Sequence, residues 1–137
     1  MRQRAGLIIL AVIICWVSVG ACRREQVPQN NSIDFEAQGF IKMATTAYCV
    51  GHHTANGSEV HEGGCASSLD RIGCVAIVYT LDGEFIANFE VNDTGKAGGG
   101  VRRGVVLDVY RSDYDRCVEY MKLTNGECWV RFVEGDG

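Results

Sequence analysis

From about residue 40 onward, apolar and polar positions alternate in short runs separated by turn residues, the signature of a chain built mainly from strands. The runs FIKMATTAY (40–48), CVAIVYT (74–80), EFIANFEV (84–91), VVLDVY (105–110) and ECWVRFVE (127–134) supply about five to six strands. Asp82-Gly83, between the second and third of these, is a strong hairpin signal. A single stretch breaks the alternation. In SDYDRCVEYMKL (112–123), Ser112 is placed as N-cap with Asp115 three residues on as a capping box, and Cys117, Val118 and Met121 share one helical face. That face predicts a short helix covering one end of a barrel.

The N-terminus follows another pattern. Arg2 and Arg4 precede a run from Gly6 to Ala21 without charge, the positive and apolar regions of an export signal. The run is short for a membrane span, which needs about 20 apolar residues. It ends in Val19-Gly20-Ala21-Cys22, which resembles a bacterial lipobox. The resemblance implies a diacylglyceryl group on Cys22 and anchorage to the membrane; the alternatives are plain cleavage after Ala21 or an uncleaved anchor. Residues 23–39 are polar, hold the only proline and show no periodicity, which predicts a tether leading to one domain over 40–137.

Removal of residues 1–21 leaves 11 basic and 17 acidic side chains, a formal charge of −6. This balance argues against a nucleic-acid partner, which would demand a basic patch. Five cysteines fall within the folded part: Cys49, Cys65, Cys74, Cys117 and Cys128. In a small exported domain the default expectation is disulfides, at most two here, with one thiol left over.

Two segments carry candidate chemistry. In VVLDVY the strand period puts Val106, Asp108 and Tyr110 on one face and Leu107 and Val109 on the other. With Leu107 and Val109 in the core, Asp108 projects from a rigid strand between apolar neighbours, where partial desolvation raises a carboxyl pKa and suits a general acid. An ordinary solvent-facing aspartate is the competing reading. Upstream, Asp93 sits in NDTG, good turn chemistry, followed by a glycine-rich loop that lacks the GK[ST] of a phosphate cradle. The second segment is YCVGHHTANGSEVHEGGC. Cys49-x2-His52 and His61-x3-Cys65 have spacings compatible with zinc, but they lie only eight residues apart, and an oxidising compartment favours half-cystines at Cys49 and Cys65.

In order, Thr46-Ala47-Tyr48, Thr54-Ala55-Asn56-Gly57, Asp93-Thr94-Gly95 and Leu107-Asp108-Val109-Tyr110 resemble the motifs of the three-aspartate (3D) domain. That domain belongs to the double-psi β-barrel group, with membrane-bound lytic transglycosylase A and rare lipoprotein A. The resemblance spans about residues 44–133 and implies a six-stranded double-psi β-barrel with one short covering helix. It also implies Asp108 as catalytic acid/base, Asp93 as its partner, and Tyr48, Thr54, Thr94, Gly95 and Tyr110 as substrate-binding residues. The family's first aspartate follows the alanine that matches Ala66; here Ser67-Ser68 intervene and the next acid is Asp70. The loop after Asp93 is longer than the family's.

The activity so implied is cleavage of the β-1,4 bond between N-acetylmuramic acid and N-acetylglucosamine in peptidoglycan, closing a 1,6-anhydro ring, without metal or organic cofactor. Arg102 or Arg103 is a candidate for a peptide-stem carboxylate. The partners are glycan strands and, through the N-terminus, a membrane, which places the protein in the cell envelope. Two alternatives stay open: a non-catalytic wall-binding barrel of the expansin type, and a muramidase-type hydrolase pairing Asp108 with Asp70 or Asp93.

Overall fold

The computed structural model describes residues 33–95 and 99–136; the expected signal, Cys22, the first ten residues of the tether and Lys96 lie outside them. Six strands form a closed barrel: β1 (Ile41–Tyr48), β2 (Gly64–Ala66), β3 (Cys74–Tyr79), β4 (Phe85–Asp93), β5 (Val106–Tyr110) and β6 (Glu127–Glu134). The order around the barrel is β1-β5-β2-β4-β3-β6, with β1∥β5 and β2∥β4 parallel and the other pairs antiparallel. Exchanging each strand with the one three places along the chain maps this ring onto itself. Two three-strand halves therefore interlock, each threading a strand between strands of the other, as a double-psi barrel requires.

The interior is built from the inward positions of every strand. Met43, Cys65, Ala76, Val78, Phe89, Val91, Leu107, Val109, Cys128 and Val130 form one buried cluster, joined by Tyr120. Tyr120 comes from helix α2 (Tyr114–Thr124), which closes one end of the barrel with Cys117, Tyr120 and Thr124 buried. The buried Thr45 hydroxyl donates to the Leu107 carbonyl at 2.9 Å, so at 2.7 Å it accepts from the Tyr120 hydroxyl, and no polar group is orphaned there. Asp113, not Ser112, caps the helix: its side chain accepts from Arg116 N at 2.9 Å, and Ser112 lies one residue outside.

Two expectations change. The end of the expected tether is folded: Phe35 is buried, stacks on Trp129 with ring centroids 5.5 Å apart and meets Phe40 and Tyr79 edge-on. The five cysteines are free thiols. Cys65 and Cys128 have their side chains in the barrel core, which removes Cys65 as a half-cystine and pushes both thiols up in pKa, Cys128 to about 11.

Candidate functional site

Thr46, Asp108, Ala66 and Asp93 stand in register across four adjacent strands, β1, β5, β2 and β4. All four line one groove of about 740 Å³ on the outside of the barrel. On β5 the alternation runs as the sequence dictates, Leu107 and Val109 fully buried and Asp108 on the other face. Asp93 arrives there by a different device. The β2–β4 register shifts between Cys65 and Ala66, so Val91 faces Cys65 while Ala66 faces Asp93. Asn92 is the extra residue, and it is buried along with Val91. The bulge turns Asp93 onto the face that Asp108 occupies. Strands lie about 4.8 Å apart, so the two aspartates sit roughly 10 Å apart at the backbone, with Ala66 as the small floor between them.

The two carboxylates have different surroundings. Asp108 is partly buried, and burial raises its pKa; the Thr46 hydroxyl, donating to Oδ1 at 2.7 Å, opposes the rise, and the charge of Asp93 adds to it. Asp93 Oδ1 accepts from Thr94 N at 2.7 Å and Ala55 N at 3.1 Å, which ties the TANG loop to the end of β4. Tyr48 completes the group. Its hydroxyl is buried and makes no hydrogen bond among the described residues, and burial together with Asp93 and Asp108 holds the phenol protonated. Of the two groups, the Asp108 carboxyl, with its raised pKa and its place in the groove, is the one suited to general acid chemistry.

The walls are largely apolar. Val50, Gly51, His52, His53 and Val60 come from the loop after β1; Gly95, Gly100, Val101 and Val106 face them. The glycine-rich stretch is more structured than a plain loop: Gly99–Arg102 make one helical turn, α1, whose Val101 is buried. Gly95 has φ +65° and its Cα faces Val101 so closely that a Cβ would come within 2.9 Å of Val101 Cγ1. The glycine is required there by both conformation and space.

Of the substrate-binding residues expected from sequence, Tyr48 and Gly95 line the groove and Thr54, Thr94 and Tyr110 do not. Thr54 is buried and spends its hydroxyl on Asn56 Oδ1 and Ser58 within its own loop. Thr94 serves Asp93 through its backbone, and Tyr110 packs edge-on behind Tyr48 at 5.4 Å. Neither Arg102 nor Arg103 lines the groove; Arg102 Nε donates to the Gly95 carbonyl at 3.4 Å. Asp70 is exposed on a short 3-10 turn (Leu69–Arg71), outside the groove. Thr46, His52 and His53 also line the groove: Thr46 stands two residues before Tyr48 on the outward face of β1, and His52, a candidate zinc ligand by spacing, is part of the groove wall instead.

The zinc spacing is not assembled. Cys65 is in the core, and His61 pairs instead with Glu90 at 3.5 Å and Asn92 at 3.3 Å. Among the described residues no three of His, Cys, Asp and Glu gather to hold a metal ion. No protein family's sequence profile matches the chain, and no curated protein matches it.

Proposed function

We propose that the protein is a peptidoglycan lytic transglycosylase of the three-aspartate barrel type, with Asp108 as its single acid/base. The observation that carries this reading is the placement of Asp108: a carboxyl of raised pKa on a rigid strand, in a groove, with Tyr48 and Asp93 beside it. Protonated Asp108 donates to the glycosidic oxygen as the bond to the anomeric carbon breaks and an oxocarbenium-like centre develops. The carboxylate so formed takes the proton of the muramoyl 6-hydroxyl, whose oxygen attacks the anomeric carbon. The ring closes, and no water is consumed. Asp93 supplies nearby negative charge for the cationic centre while it holds the TANG loop.

A binding-only barrel would use an exposed aromatic platform. Trp129 is stacked on Phe35 and is no part of the groove, which supports the catalytic reading. A hydrolase pairing Asp108 with Asp70 loses support because Asp70 stands outside the groove. Digestion of purified sacculi followed by mass spectrometry of the soluble products tests the proposal. Anhydro-muropeptides are expected; reducing ends would make the enzyme a hydrolase, and intact sacculi that retain the protein would make it a binding module.

A further inference from the structure

The loop that forms one wall of the groove is held at both ends by the segment that leads from the end of β5 into helix α2. At its far end Glu62 accepts from Ser112 N at 2.5 Å and pairs with Arg111 at 3.4 Å and Arg116 at 3.6 Å. At its near end Tyr48 pairs with Tyr110, and Arg111 N donates to the Tyr48 carbonyl at 2.9 Å. Cys49 follows immediately. Cys117 stands on the first turn of α2, its N–H donating to the carbonyl of the cap residue Asp113 at 3.2 Å, with its side chain buried. The Cys49 thiol lies within side-chain hydrogen-bonding reach of the Cys117 thiol. The remaining three cysteines are placed differently: Cys65 and Cys128 are in the core, and Cys74 is at the start of β3, paired with β6.

We propose that Cys49 and Cys117 are a redox pair whose oxidation to a disulfide fastens the groove wall of residues 50–53 to helix α2. The oxidant is a disulfide, carried by a thiol–disulfide oxidoreductase or by oxidised glutathione. Cys49, the more exposed of the two, attacks it to form a mixed disulfide, and Cys117 displaces the carrier. The two cysteines give up two protons and two electrons, one sulfur–sulfur bond forms, and the carrier's own disulfide is reduced to two thiols. Burial and the neighbouring Cys49 push the Cys117 thiol up to about 11, while Arg111 draws it down. Val50, Gly51, His52 and His53 follow Cys49 directly and line the groove, so the bridge sets how firmly that wall stands. The pairing holds whatever the groove binds.

The test treats the full chain with oxidised glutathione, blocks remaining thiols by alkylation without reductant, and maps the proteolytic peptides by mass. A peptide linking Cys49 to Cys117, two hydrogens lighter than the sum of its parts, is expected. Oxidation should also raise Tm by about 10 °C, because the bridge closes a long loop of chain. Cys49→Ser and Cys117→Ser should each abolish that rise and Cys74→Ser should leave it. Separate alkylation of Cys49 and Cys117 after oxidation, or linkage of either to another cysteine, would overturn the assignment. A Tm rise that survives in Cys117→Ser would do the same.

Discussion

The Thr46 hydroxyl donates to Oδ1 of Asp108 at 2.7 Å across the parallel pairing of β1 with β5, where the two residues are direct partners in register. The bond stabilises the carboxylate form and works against the burial that raises the Asp108 pKa. Thr46→Val keeps the shape and removes the donor. Its expected effect is to carry the alkaline limb of the kcat/KM profile for muropeptide release upward by about one pH unit, the size of one charge-assisted hydrogen bond. A limb that stays in place would mean that the titrating acid is some group other than Asp108.

Asp108→Asn tests the same carboxyl from two sides. It should lower turnover by roughly 10²- to 10⁴-fold, the usual contribution of a positioned acid. It should also stabilise the fold near neutral pH. The folded-state pKa of Asp108 lies above its unfolded value, so the native state holds the proton more tightly. Stability from this group is present below the unfolded carboxyl pKa and is lost as pH rises through the folded one. The asparagine, with no charge to bury, keeps it. Urea unfolding should therefore give Asp108→Asn the higher midpoint at pH 7, with the difference vanishing near pH 3; equal midpoints at pH 7 would mean that burial does not govern this carboxyl.

The contrast between the two aspartates shows what a sequence carries. Asp108 was legible because Leu107 and Val109 alternate with it and only one face of β5 can enter the core. Asp93 was legible as a turn residue, but its approach to Asp108 depends on a bulge at Asn92, and a bulge leaves no mark in a period-two pattern. Strand β2 is three residues long, Gly64-Cys65-Ala66, all buried, so it has no alternation to detect. Thr54 lay in a matching motif, yet its hydroxyl serves its own loop. A local pattern fixes which face a residue takes; what meets it across the barrel is decided by register between distant strands.

Gly95, in the loop after Asp93, is constrained by both backbone conformation and space. An alanine there meets a positive φ and places its Cβ 2.9 Å from Val101 Cγ1. Gly95→Ala should destabilise by about 2–4 kcal/mol, combining backbone strain with overpacking against a buried side chain. Trimming the neighbour separates the two causes. In Gly95→Ala/Val101→Ala the loss should be smaller than the sum of the single losses by about 1 kcal/mol or more. Additive losses in urea titrations would assign the whole cost to φ and none to the contact.

Phe35 places the start of the folded unit five residues before the position that composition suggests. Around it the chain is polar, and one aromatic in such a stretch carries no periodic signal. In the fold it stacks on Trp129 and joins Phe40 and Tyr79 on the outer side of β3 and β6, while the turn behind it is tied by Phe40 N to the Phe35 carbonyl at 2.9 Å. Phe35→Ala should cost about 3 kcal/mol, as for other buried phenylalanines. A chain starting at residue 33 should keep its full unfolding free energy, and one starting at residue 40 should lose at least as much as the point variant. Measured by urea titration, equal stabilities for the two truncations would return residues 33–39 to the tether and leave the Trp129 stack without a share in holding the barrel.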